Sequence, residues 1–160
     1  MIERRIIYVS KDKLEKLLWS IALPGFGQIL NQQYIKAFLF IFLEFLINVQ
    51  ANLNEVIILS FHGKIQTAIN QADFQWLMFY PCLYFFTMWD AVKDAKGESS
   101  PLMFLPFVIA AYLSTVGVVY SSKMTILGIL VGPIFSPILL GIIGILLGMI
   151  LMRFIQKTAH

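Results

Sequence analysis

Charge is what this chain has least of: only 13% of its 160 residues are charged and 59% are hydrophobic, where an average soluble domain carries about 25% charged residues. That scarcity excludes an ordinary water-soluble globule. A single cysteine excludes an internal disulfide framework, and six prolines with ten glycines exclude a Pro/Gly-rich disordered chain. The two histidines, His62 and His160, have no Cys, Asp or Glu at ligand spacing, so no metal site is readable. No Ser-His-Asp arrangement is present, and Pro24-Gly25-Phe26-Gly27 lacks the lysine and strand-to-helix context of a phosphate-cradling loop. No enzyme activity and no cofactor is therefore expected. Basic residues never form a run interleaved with stacking aromatics, which argues against a nucleic-acid partner.

What is present is hydrocarbon, with a mean hydropathy of +0.79. A chain of this length fits one domain of about three to five membrane helices at about 20 residues per span. The expected fold is an all-α membrane protein, residues 1–160 as a single integral membrane domain. Residues 1–13 form a mixed-charge tail, and 14–33 an amphipathic helix followed by a corner. Transmembrane helices cover 34–49, 74–90, 102–120 and 134–152, with a loop or interfacial helix at 50–73 and a second tail at 153–160. Ser10 is the expected N-cap, and Leu14, Leu17, Leu18 and Ile21 follow the i, i+3, i+4, i+7 stripe of a helix resting in the membrane surface.

The corner Pro24, Gly25, Gly27, Gln28 and Asn31 breaks that helix. Its freed backbone groups must find partners, because lipid supplies none. A half-inserted hairpin capped by side-chain amides is expected. Farther on, Met124 to Met152 would make one helix about 43 Å long against about 30 Å of hydrocarbon. Gly132-Pro133 and Ser136-Pro137 predict a broken first part, then a span.

Orientation follows from the basic residues. If 14–30 does not cross, ten of the twelve Lys and Arg fall on one side and only Lys64 and Lys123 on the other. The positive-inside rule then sets both termini in the cytoplasm.

Two motifs, LPGFGQILNQQYIKAFLFIFLEF at 23–45 and YFFTMWDAVKDA at 84–95, resemble small bacterial membrane proteins related to the two-transmembrane-helix (TM-two-like) domain families. The resemblance covers about a third of the chain. It implies a corner-then-helix architecture and a bacterial cytoplasmic membrane, and little about activity, since such families are defined by sequence.

Few residues offer chemistry. Glu44 lies within an apolar helix, where an ionisable group costs about 2.5–3.5 kcal/mol on insertion scales, so a reason for it is expected. Gln33, Glu44 and Asn48 fall near one face with Ala37 and Glu55. This polar stripe is either glue, with Glu44 bonded to the amides of the 28–33 corner, or a proton or ion site, or a partner contact. Asp90 and Asp94 are either a solvated helix end or a clamp on Lys11, Lys13 or Lys16. Gly128, Gly132, Gly141, Gly144 and Gly148 supply two GxxxG patterns, for packing within the chain or for a homo-oligomer. Cys82 reads as a buried small hydrophobe. The leading function is a non-enzymatic interaction or accessory subunit whose partners are the bilayer and another membrane protein or a second copy. The alternative is a small transporter or channel component with Glu44 in a polar path.

Overall fold

The computed structural model describes residues 10–158 and is all-α apart from one short hairpin. Arg4 and Arg5 in the expected N-terminal tail, and His160, lie outside the described residues. Helix α1 (Lys11–Ala22) starts where expected, with Ser10 Oγ accepting the Lys13 N–H at 3.3 Å. It ends before Pro24, and Gly25 at φ +103° turns the chain into α2 (Phe26–Leu30). A side chain could not replace that glycine, since a Cβ there would sit 2.7 Å from Ile41 Cγ1 and 2.8 Å from the Ala37 carbonyl oxygen.

Helix α3 (Tyr34–Gln50) is followed, after a 64° bend, by α4 (Leu53–Phe61). The bend is set at Asn52, whose left-handed φ of +54° is one that asparagine tolerates, and whose Nδ2 donates to the Gln71 carbonyl at 3.1 Å. Then come α5 (Ile65–Gln71), the single turn α6 (Phe74–Leu77), capped by Asp73 Oδ1, and α7 (Phe79–Lys93). Residues 50–73 do not hang outside the fold. Ala51, Leu53, Val56 and Ala68 join Ile47, Leu77, Val118 and Ile134 in the main apolar core. The stretch is polar in composition, yet α4 and α5 turn their few apolar side chains to the same place.

Helix α8 (Leu105–Tyr120) leads into a two-stranded antiparallel hairpin, β1 (Thr125–Ile126) and β2 (Ile129–Leu130). Its turn residues Leu127 and Gly128 both have positive φ, the pattern of a tight hairpin turn. Helix α9 (Gly132–Thr158) then runs unbroken for 27 residues, about 40 Å. The expected break at Ser136-Pro137 is absent. Pro137 lies near the helix start, where few backbone bonds are lost, and its carbonyl accepts the Ser114 hydroxyl at 2.8 Å. The helix also continues through most of the expected 153–160 tail.

Of these helices α9 alone is long and apolar enough to cross a membrane, and α3 with α4 passes as one bent pair. The distribution of side chains is inverted relative to a water-soluble protein. Lys13, Lys16, Gln28, Glu44, Thr87 and Asp90 are buried, whereas Ile35 (89% exposed), Phe38, Phe45, Ile150 and Phe154 face outward. Helix α1 follows the same rule: Lys13, Lys16 and Ser20 are buried, while Leu14, Leu18, Trp19 and Ile21 are exposed.

Candidate functional site

The polar residues singled out in the sequence gather mainly at one end of α7. Gln28 is fully buried, and its Nε2 donates both to the Thr87 carbonyl at 2.9 Å and to Asp90 Oδ2 at 3.0 Å. Asn31 Nδ2 donates to the Ala91 carbonyl at 2.8 Å, and Gln33 Nε2 to Asp94 Oδ2 at 2.7 Å. The cation that completes the cluster is Lys36, whose Nζ lies 2.9 Å from Asp90 Oδ1 and 2.9 Å from Asp94 Oδ2. Both readings of Asp90 are thereby corrected: it is a buried carboxylate at 5% exposure, and its ionic partner is Lys36 rather than Lys11, Lys13 or Lys16. The signal for it was in the spacing. Gln33 and Lys36 are three residues apart at the start of α3, and Asp90 and Asp94 four apart on α7, so each pair shares a helix face.

Two of the three lysines of α1 bind elsewhere. Lys13 Nζ donates to the Glu98 carbonyl at 2.5 Å and to the Ser99 hydroxyl, and Lys16 Nζ pairs with Asp12 Oδ2 at 2.5 Å. Asp12 Oδ2 also accepts the Lys96 N–H at 2.7 Å. The Lys16 ammonium and that N–H hold the Asp12 carboxyl below its ordinary pKa. At Asp94, burial pushes upward, but Lys36 and Gln33 outweigh it and leave the carboxyl below its ordinary value.

These bonds order the first two helices along α7. Lys96 is met by Ser10 and Asp12, Tyr84 Oη reaches the Ile21 carbonyl at 2.9 Å, and the chain returns past Thr87, Ala91 and Asp94. From Asp94 to Tyr84 is ten residues, about 15 Å along the helix axis. The α1–α2 hairpin therefore climbs about half the height of the bundle and comes back to the same end. Close packing permits this at Gly27, where a Cβ would collide with Ser20 Oγ and lie 2.6 Å from Ala91 Cβ.

Glu44 is not among the corner amides. It is buried about one turn beyond Phe40, which meets Phe86 edge to face, and has Asn48 and Tyr80 as polar neighbours. Gln33 and Glu44 share a helix but are eleven residues, about 16 Å, apart. Asn48 Nδ2 instead donates to Asn54 Oδ1 at 3.2 Å, so the stripe divides into separate contacts.

A cavity of about 310 Å³ opens beyond the tip of the α1–α2 hairpin. Ile21, Ile57, Tyr80, Tyr84, Pro133 and Ile138 are among the residues lining it. It thus lies between the hairpin and α4. The hydroxyls of Tyr84 and Ser114 on its wall are already bonded to backbone carbonyls, so it presents mostly hydrocarbon.

The glycines separate into two groups. Gly141, Gly144 and Gly148 face α8: a Cβ at Gly144 would lie 2.5 Å from Ala110 Cα, one at Gly148 would run into Pro106, and one at Gly141 into Ser114. Gly117 returns the contact against Pro137. The Gly128–Gly132 pair is no helix seam. Gly128 is in the hairpin turn with open space around it, and Gly132, at φ +82°, opens α9 against Ile65. Cys82 is exposed rather than buried, its Sγ 3.6 Å from Thr115 Oγ1. Among the described residues no three His, Cys, Asp or Glu side chains are grouped to hold a metal ion. Comparison of the chain with protein-family models, with curated proteins and with solved structures gives no match.

Proposed function

We propose that this chain is a multi-pass membrane protein that crosses a bacterial cytoplasmic membrane four times, near 34–49, 74–90, 102–120 and 134–152. In this reading both termini and the Lys36–Asp90–Asp94 cluster lie on the cytoplasmic side, and α1–α2 is a hairpin dipping into the inner leaflet. The observation that carries it is the inverted polarity: large apolar side chains outside, and lysine, aspartate, glutamate and glutamine within. Water-soluble monomers rarely expose contiguous apolar patches beyond a few hundred Å². The resemblance of the corner to the TM-two-like families agrees with this arrangement. Reporter fusions at Lys64 and at residue 160 test it: activity of a periplasmic reporter at Lys64 and of a cytoplasmic reporter at 160 is expected. A cytoplasmic Lys64 overturns it.

Within the membrane the protein acts by interaction, as a non-enzymatic accessory subunit or scaffold. The short connections leave no room for a soluble catalytic site, and the broad outer face of α3 is free for a partner helix. Purification in mild detergent is expected to retain a stoichiometric second membrane polypeptide. A transport role is the second reading, favoured by one observation: the cavity lies between a half-height hairpin and the bent α4, with Glu44 beside its Tyr80 wall. Broken elements at membrane depth are common at transport sites. Proton- or ion-dependent flux in liposomes holding the purified protein alone, lost in Glu44→Gln, would favour it over the first.

A further inference from the structure

The β1–β2 hairpin is an unusual way to join two packed helices. Thr125 to Val131 carries no charge, and Leu127 at its tip is 97% exposed and Ile129 72% exposed. Leu127 also adopts φ +51°, a left-handed conformation normally left to glycine, asparagine or aspartate. In water this turn would combine backbone strain with an apolar tip and gain nothing in return. Lys123 at the base of the hairpin is exposed, and so is Tyr120 at the end of α8. A basic and an aromatic residue beside an apolar projection are the pair enriched where hydrocarbon meets lipid headgroups.

Heights along the helices give the second argument. Cys82 on α7 is level with Thr115 on α8, from their 3.6 Å contact. Asp90 is eight residues from Cys82, about 12 Å toward the polar end, and Tyr120 is five residues from Thr115, about 7.5 Å the other way. The two helices thus span about 20 Å between the buried carboxylate and the end of α8, leaving about 10 Å of a hydrocarbon core about 30 Å thick. The Met124 N–H donates to the Tyr120 carbonyl at 2.8 Å, so the hairpin starts about one turn beyond the end of α8, and its two-residue strands extend about 7 Å. The hairpin therefore lies near the far boundary of the hydrocarbon, where its apolar side chains can reach the acyl chains.

We propose that the β1–β2 hairpin is a lipid-inserted wedge: Ile126, Leu127 and Ile129 enter the leaflet opposite the Lys36–Asp90–Asp94 cluster, and Lys123 meets the headgroup phosphates. The inference rests on the membrane reading above. The occupant is phospholipid, because the tip is apolar, a cation flanks it, and the missing helix length falls at this level. The unpaired outer edges of the two strands then lie at the interface, where headgroups and water satisfy them.

The test uses the full chain with Cys82→Ser, spin-labelled at Leu127→Cys and, in a separate variant, at Ile129→Cys. The protein is reconstituted into vesicles of phosphatidylcholine and phosphatidylglycerol, and collision with oxygen is compared with collision with a water-soluble nickel chelate. Ile143→Cys on the outer face of α9 is the deep reference and Glu98→Cys in the loop after α7 the aqueous one. The oxygen-to-nickel ratio at 127 and 129 is expected to be several-fold above that at 98. A ratio at both sites equal to that at 98, with Ile143 oxygen-dominated, overturns the wedge while the membrane reading stands. Nickel-dominated collision at 143 as well overturns the membrane reading. Dipolar broadening between labels at 127, with low collision by both reagents, assigns the hairpin to a second copy and also overturns the wedge.

Discussion

Replacing Gly144 by alanine is the most direct probe of the seam between α8 and α9. The added Cβ would lie 2.5 Å from Ala110 Cα, 2.8 Å from Ala110 N and 2.9 Å from the Ile109 carbonyl oxygen. All three are backbone atoms, so no side-chain rotation relieves the clash. Carbon atoms pack best at about 3.5–4.0 Å, and the helices must separate by about 1 Å, a gap that forfeits about a quarter to a half of each dispersion contact nearby. Overpacking of this kind costs about 1–3 kcal/mol. Alanine recovers about 1 kcal/mol through its better helix propensity. The expected net result is a loss of up to about 2 kcal/mol, with a larger loss for Gly144→Leu, which adds bulk without room for it. Unfolding in detergent micelles, followed by circular dichroism against added denaturing detergent, measures it. Leu147→Ala on the exposed face of the same helix is the control and should change stability by less than about 0.5 kcal/mol. A Gly144→Leu protein as stable as the parent would refute the seam as described.

Gln28→Leu removes two donors from a fully buried position, leaving the Thr87 carbonyl and Asp90 Oδ2 short of partners, and should cost about 1–3 kcal/mol in the same unfolding assay. Lys36→Met leaves the Asp90 carboxylate, 8% exposed, without its cation. Because Lys36 is itself 43% exposed and solvent-screened, the loss should be about 1–2 kcal/mol, and adding Asp90→Asn should restore part of it. Acid provides a further check. Asp12 and Asp94 both titrate below their ordinary values in the folded protein, so each stabilises the fold above the unfolded pKa and loses that contribution as pH falls through the folded one. The melting temperature should hold from neutral pH to about pH 5 and fall below about pH 4, the usual aspartate range, and Asp94→Asn should reduce the fall. A melting temperature that rises on acidification would contradict the sign.

The helix class and most helix positions were legible because they depend on local signals. Ser10 caps α1, Pro24 and Gly25 end it, and long apolar stretches mark α3, α7, α8 and α9. The β1–β2 hairpin escaped because Leu127-Gly128 lacks the usual Asn-Gly turn chemistry and its strands are two residues long. The seam glycines were legible as close-packing residues, but not their partner helix.

The sequence by itself determined that this chain is helical, that apolar side chains outnumber what an interior could hide, and that the corner amides and Glu44 need partners. Only the tertiary structure decided which partners those are. Hydropathy and periodicity act over a few turns of one helix, whereas Lys36 meets Asp90 across 54 residues of chain and Gln28 meets it across 62. Such pairings depend on how far α1 and α2 climb along α7 before the chain turns back, and on the depth at which α3 begins. Those heights are fixed by contacts among several helices at once. Charge was the scarcest property of the chain, and its few buried charges and amides are what tie the first third of the chain to α7.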